Sequence, residues 1–146
     1  MQFSINTLNK LALRKKTMLN KILGKSFIPV LWTIAVQVLL CLPGSALPDV
    51  KLWNIPEFDK IAHVIIFGTF VGLWSYYFFL KKLPADRLKK IFFWIYIAAI
   101  TNGIVMEFVQ VNFIPNRSFD EGDIIANLIA AGIAYGICNI KLLKTS

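Results

Sequence analysis

Apolar residues are concentrated in four runs, separated by short polar stretches: Phe27–Leu42, Ile61–Leu80, Ile91–Val109 and Ile124–Ile140. The runs contain 16, 20, 19 and 17 residues, and Glu107 is the one charged residue within them. A helix that crosses a membrane needs about 20 residues, with a range of about 17–25. The pattern therefore predicts an all-α integral membrane protein, a bundle of four transmembrane helices at about 26–43, 60–80, 90–109 and 123–140.

Composition supports this class of protein. The 146 residues are 57% apolar and only 16% charged, whereas a soluble domain is nearer half apolar and about a quarter charged. This balance argues against a soluble enzyme, a disordered tail and a disulfide-rich secreted module. We expect two parts: a membrane domain at 26–141 and a basic N-terminal segment at 1–25. The segment is either an amphipathic helix on the membrane surface or a frayed tail.

The net charge of +8 follows the predicted topology. Thirteen of the 16 basic residues lie before the first run, between the second and third, or after the fourth, and three lie on the opposite side: Lys51, Lys60 and Arg117. Basic residues are enriched on the cytoplasmic side of membrane proteins, so we expect both termini in the cytoplasm. This distribution accounts for the charge, and we expect no nucleic-acid partner. We also expect the first span to be retained, because the 25 residues before it are too long for the basic region of a signal peptide.

Polar residues collect at the predicted outer ends of the spans. Three pairs share a helix face by their spacing of three or four residues: Asp59 with His63, Glu107 with Gln110, and Asp123 with Asn127. Polar groups within an apolar span are costly unless they face a partner or water. The spacing therefore predicts a polar pocket that opens to the outside. We expect Asp120 to cap the fourth span, and Asp123 and Asn127 to belong to the pocket.

The order and spacing of these residues resemble the VanZ-like family of small bacterial membrane proteins, whose founding member is associated with resistance to teicoplanin. The elements that carry the resemblance are Asp59-Lys60-x-x-His63, Glu107-x-x-Gln110, Pro115-x-Arg117 and Asp123-x-x-x-Asn127, followed by Gly132 and Gly136. The match runs from about Pro43 to Gly136. Two positions depart from the family pattern, Met106 and Ala131. The resemblance implies a multi-pass protein of the bacterial cytoplasmic membrane and gives no mechanism.

The predicted ligand-binding residues are Asp59, Lys60, His63, Glu107, Gln110, Arg117, Asp123 and Asn127. Lys60 and Arg117 are candidate donors for a phosphate or another anion, since the guanidinium fork suits phosphate oxygens. Alternatively, Arg117 simply pairs with Glu107. His63 and Glu107 are the candidate catalytic pair, should the protein be an enzyme.

No cofactor and no metal are predicted. One histidine with carboxylates is a poor zinc set. Mg²⁺ or Mn²⁺ held by Glu107, Asp123 and Asp120 is a chemically reasonable alternative.

Three functions compete. The first is a protein that binds or modulates a lipid-linked or anionic component of the cell envelope through the outer pocket, and so affects glycopeptide susceptibility. The second is a membrane-embedded enzyme that acts on a lipid-linked envelope precursor. The third is a small transporter, which would have to be an oligomer because four short spans make a poor carrier. We favour the first, with membrane lipids or a phosphate-bearing headgroup as partner.

Overall fold

The computed structural model describes residues 2–43 and 58–145, and every regular element in this part of the chain is helical. The helices are α1 (Gln2–Leu23), α2 (Phe27–Leu40), α3 (Phe58–Phe79), α4 (Ala85–Phe113) and α5 (Glu121–Leu142), and a short 3₁₀ turn, Leu143–Thr145, follows. The predicted all-α class is confirmed for the described residues.

Three of these helices are long and apolar enough to cross a membrane, over Asp59–Phe79, Ala85–Phe113 and Glu121–Thr145. The helix in the first apolar run is shorter than the predicted span 26–43. Helix α2 has 14 residues and is thus about 21 Å long. The hydrocarbon layer is about 30 Å thick. Only when Lys10–Leu23 of α1 is added, across a bend of 62°, does this part of the chain qualify as a fourth candidate span.

The first two helices follow α3 along much of its length. Tyr76 of α3 donates a hydrogen bond to Asn20 of α1 (2.6 Å). Farther along, Trp74 donates to Thr33 of α2 (3.1 Å), and the Trp32 indole N–H donates to the Ile66 carbonyl (3.3 Å). The last turn of α2 therefore lies at the same end of the bundle as the first turns of α3.

The core lies between α3, α4 and α5, and α5 packs most extensively against α3. The fully buried residues of this core include Phe67, Val71, Ala99 and Ala131. The outer surface is apolar too: α5 has an exposed stripe of isoleucines at helical spacing, all at least 50% exposed, namely Ile125, Ile129, Ile133, Ile137 and Ile140. Large apolar patches are uncommon on soluble monomers. This surface suits lipid, as expected of a membrane protein.

A short connection joins the end of α4 to the start of α5. Helix α4 ends at Phe113, ahead of Pro115, and proline cannot continue the helical hydrogen-bond ladder. Asn116 has a left-handed backbone (φ 59°), which asparagine tolerates better than most residues. The seven-residue loop 114–120 thereby places the end of α4 beside the start of α5.

Candidate functional site

The polar residues that the sequence groups together do meet at one end of the bundle. His63, Glu107, Gln110, Asp123 and Asn127 are all buried, at 6% exposure or less. They come from α3, α4 and α5, which each contribute one face. The predicted polar cluster is therefore present in the structure, although its contacts differ in part from those expected.

His63 lies between two residues of α5. Its Nδ1 is 3.0 Å from the side-chain oxygen of Asn127, and its Nε2 is 3.5 Å from a carboxylate oxygen of Asp123. Because an amide oxygen only accepts hydrogen bonds, Nδ1 carries a hydrogen. The imidazole is thus fixed in orientation and in the position of one proton.

Glu107 is attached to the loop that precedes α5. Its carboxylate accepts a hydrogen bond from the Asp120 backbone N–H (3.2 Å), and its side chain is almost fully buried. One acceptor atom each from His63, Glu107 and Asp123 lie within 4.8 Å of one another. A buried cluster of one imidazole and two carboxylates results.

Asp120 caps α5, as predicted from sequence. Its side chain accepts from the Gly122 N–H (2.7 Å), which satisfies one of the free amides at the helix start. The Lys60 ammonium lies 3.5 Å from the other carboxylate oxygen of Asp120. A Cβ atom at Gly122 would overlap the Lys60 side chain, so glycine is needed there for this approach.

Arg117 borders a small cavity of about 120 Å³ beside the cluster. The lining residues come from α2, α3 and the loop: Leu39, Leu40, Asp59, Ala62, His63, Ile66 and Arg117. The Nε atom of Arg117 is buried, and no acceptor among residues 2–43 and 58–145 lies within hydrogen-bond distance of it. The alternative in which Arg117 pairs with Glu107 is not seen among the ion pairs of the described residues.

Two residues of the predicted site make contacts that their spacing does not specify. Asp59 shares a helix face with His63, yet the His63 ring bonds to α5, and Asp59 instead groups with Asp120 and Asp123. Gln110 is buried, but its amide donates to the Leu40 carbonyl (2.8 Å). Gln110 therefore ties α4 to the end of α2, and its predicted ligand role has no support in this contact.

Two further residues, not predicted from sequence, fix the packing of the helices that carry the site. Gln37 of α2 donates to Asn102 of α4 (2.7 Å), and its own amide oxygen is buried without a partner in the described part of the chain. Gly103 faces Asn127, whose amide nitrogen would lie 2.8 Å from a Cβ at that position. Gln37 was detectable as the one amide side chain in the first apolar run.

The fold and the site together define a helical membrane protein with a buried polar cluster at one end of its bundle. No protein-family model matches the chain, and no solved structure matches it. The chain is similar to an uncharacterised protein of Schizosaccharomyces pombe, C11E3.10, with 28% identity over 101 residues. The aligned part is 69% of this chain and 59% of the relative, so the chain spans less than two thirds of the relative's length. The relative's name states no activity.

Proposed function

We propose that this chain is a VanZ-like membrane protein that binds the phosphate of a lipid or lipid-linked envelope component beside its polar cluster. Arg117 is the observation that carries the proposal. Its Nε is buried without a hydrogen-bond partner among the described residues, and other atoms of its side chain line the cavity. A buried donor left unsatisfied costs about 1–3 kcal/mol, and more when it is charged. An anionic oxygen in the cavity would satisfy it.

The size and lining of the cavity favour a single anionic group on an amphiphile. Pockets for ordinary small ligands have about 300–1,000 Å³, and this one has about 120 Å³. A phosphate fits such a volume better than a disaccharide does. The opposite wall is apolar, through Leu39, Leu40 and Ile66, and the neighbouring surface of α3 exposes Ile61 and Ile65. Acyl chains would lie along that surface.

The topology that we propose with this function has four spans. Helix α2 and the apolar last turns of α1 form the first. The basic residues before those turns and both termini lie in the cytoplasm, and the cluster opens to the outside of a bacterial cytoplasmic membrane. The distribution of basic residues supports this orientation. In that orientation Arg117 lies at the level of the outer headgroups.

Lipid binding is tested by native mass spectrometry of the detergent-solubilised protein. The probes are dioctanoyl phosphatidic acid and dioctanoylglycerol, which share acyl chains and differ in the phosphate. We expect the wild type to retain the phosphatidic acid and Arg117→Gln to retain it at least about tenfold more weakly. The two proteins should retain dioctanoylglycerol equally. Lys82→Gln, at the opposite end of the bundle, is the control. Equal retention by wild type and Arg117→Gln would refute the proposal.

The proposed effect on antibiotic susceptibility is tested separately from lipid binding. Teicoplanin susceptibility is compared in a sensitive Gram-positive host that carries empty vector, wild type, Glu107→Ala or Arg117→Ala at matched membrane levels, with vancomycin as the control drug. Protection by wild type and its loss in both variants would support a role in glycopeptide susceptibility. If the wild type gives no protection, lipid binding has no such consequence in this protein.

The close approach of His63, Glu107 and Asp123 favours a membrane-embedded enzyme as the second candidate. On a phosphate monoester of a lipid, a water molecule would attack phosphorus and the P–O bond to the lipid would break. Glu107 and His63 would be the acid–base pair, one taking the proton of the water and the other protonating the departing lipid oxygen, while Arg117 held the phosphate. Release of inorganic phosphate from phosphatidic acid tests this candidate. An enzyme would lose turnover but keep binding in Glu107→Gln, whereas a binding protein has no turnover to lose.

A further inference from the structure

We propose that His63, Glu107 and Asp123 form a binding site for a divalent first-row transition-metal ion, with Mn²⁺ as the best-matched probe. The site is distinct from the contact that carries the proposed lipid binding, because Arg117 is not among its ligands. It also differs from the trio considered from sequence, since His63 takes the place of Asp120.

The spacing of the three groups suits an ion between them. Their acceptor atoms lie within 4.8 Å of one another. Metal–ligand distances of about 2.0–2.2 Å place ligand atoms roughly 3–4.4 Å apart around one ion. The distance of 3.5 Å between His63 Nε2 and an Asp123 carboxylate oxygen already lies in this range.

The imidazole is already held as a metal ligand requires. Asn127 accepts the hydrogen on Nδ1 (3.0 Å), which leaves Nε2 as the nitrogen that can bind a metal. That Nε2 faces the Asp123 carboxylate. Histidines that bind metals almost always donate their other ring N–H to an oxygen in this way.

The Asp123 carboxylate supplies an independent indication of a ligand. Asp123 is only 4% exposed, and its Oδ1 atom has no hydrogen-bond partner within the described residues. Such buried acceptors are rare in folded proteins. A cation beside it would satisfy this oxygen.

Charge balance leads to the same conclusion. The Lys60 ammonium lies 3.5 Å from Asp120, and His63 balances the charge of Asp123 only when the imidazole is protonated. Two carboxylates buried this closely repel one another when both are ionised, and isolated charge is costly within a membrane. A divalent ion would compensate both at once.

The ligand chemistry narrows the choice of ion. Carboxylates suit Mg²⁺ and Mn²⁺, while imidazole suits the transition metals. Mn²⁺ accepts both, and Zn²⁺ is expected to bind at least as tightly by the general order of affinities. Three protein ligands leave other positions on an octahedral ion open.

The experiment uses the full chain in detergent, stripped with a chelator and titrated with Mn²⁺ alone, without lipid. Loss of the free-ion electron paramagnetic resonance signal reports binding. We expect one ion per chain, with affinity reduced at least about tenfold in Glu107→Gln and in Asp123→Asn, and unchanged in Asp86→Asn at the opposite end of the bundle. Size-exclusion profiles establish that each variant is folded.

A second measurement needs no variant. Pulsed electron paramagnetic resonance of the wild type with Mn²⁺ should show coupling to a ¹⁴N nucleus, because His63 is the only histidine. No binding, or binding without nitrogen coupling, would overturn the proposal. Loss of binding in Asp59→Asn together with full binding in Glu107→Gln would also overturn it, since the ion would then lie in the shallower group of Asp59, Asp120 and Asp123. Because lipid is absent, failure here leaves the Arg117 proposal unaffected.

Discussion

Asn127 determines the geometry of the buried cluster through two contacts. Its oxygen accepts from His63, and its amide fills the space beside Gly103. The position of the imidazole on α3 therefore depends on Gly103 of α4, because a residue without a side chain leaves room for Asn127. A change at Gly103 would reach His63 through Asn127.

Gly103→Ala should destabilise the protein by about 1–3 kcal/mol, the usual cost of extra volume in a well-packed core. A Cβ there would lie 2.8 Å from the Asn127 amide nitrogen and 3.3 Å from its Cβ, so the Asn127 side chain must move away from residue 103, and its contact with His63 is disturbed. Unfolding by denaturant in mixed micelles measures the loss. Gly72→Ala is the matched control, since nothing lies within 4 Å of its added Cβ. Equal stability of the two variants would contradict the role of Gly103.

Sequence periodicity predicted which residues share a face but not how neighbouring helices are rotated. The spacing of Asp59 and His63 is correct for one face of α3, yet the ring bonds across to α5. Asp120 was predictable as a cap because its partner, the Gly122 amide, is two residues away. Contacts within one turn follow from spacing, whereas those between helices depend on packing.

The start of helix α5 is fixed by the contacts of a single residue. Asp120 accepts from the helix amide at Gly122 and lies beside Lys60, while its backbone N–H holds Glu107. The start of α5 and the end of α4 are thereby fixed together.

Replacement of Asp120 by Ala should cost about 0.5–2 kcal/mol, the usual effect of a lost helix cap. Asp120→Asn should recover most of that stability, because its side-chain oxygen can still accept from the amide. Thermal unfolding compares the two with Ser118→Ala, an exposed loop position. An Asn variant as unstable as the Ala variant would mean that the Lys60 ion pair, not the cap, is the main contribution.

Helix α2 has only 14 residues, and polar contacts attach it to the neighbouring helices. Gln37 and Asn102 form one of these, at 2.7 Å. The sequence predicted a span of 26–43, but hydropathy does not indicate where hydrogen bonding along a helix stops, and α2 ends at Leu40.

A double-mutant cycle of Gln37→Ala and Asn102→Ala should give a coupling of about 0.6 kcal/mol, the average for hydrogen bonds between membrane helices. Unfolding free energies of the wild type, both single variants and the double variant supply it. The pair Thr17→Ala and Asn102→Ala is the control, because the Thr17 hydroxyl bonds within α1. Additive effects of Gln37 and Asn102 would show that the contact contributes nothing to the docking of α2.

At the scale of the whole molecule, a polar cluster is buried while much of the described surface of the bundle is apolar. His63, Glu107 and Asp123 are buried while the isoleucine stripe of α5 is exposed, the arrangement expected when the solvent is lipid. Composition was sufficient to predict this class. The number of spans depends on α1 and α2, because their bend of 62° separates an apolar helix from a basic one.

Cysteine labelling with a membrane-impermeant maleimide tests both the span number and the orientation. In a background of Cys41→Ser and Cys138→Ala, single cysteines replace three exposed residues: Thr7 on α1, Ser118 at the site end and Thr145 at the opposite end. The excess of basic residues at the end opposite the site predicts that Ser118→Cys labels in intact cells. Thr145→Cys should label only after permeabilisation.

Thr7→Cys distinguishes four spans from three. If α1 and α2 together cross the membrane, it labels like Thr145→Cys, only after permeabilisation. If they do not cross, it labels in intact cells like Ser118→Cys. The hydrogen bonds that Tyr76 and Trp74 of α3 donate to Asn20 and Thr33 favour crossing, because they place the end of α1 and the start of α2 beside the end of α3 that is remote from the site. Labelling of Thr145→Cys in intact cells would instead reverse the whole orientation and place Arg117 on the cytoplasmic side.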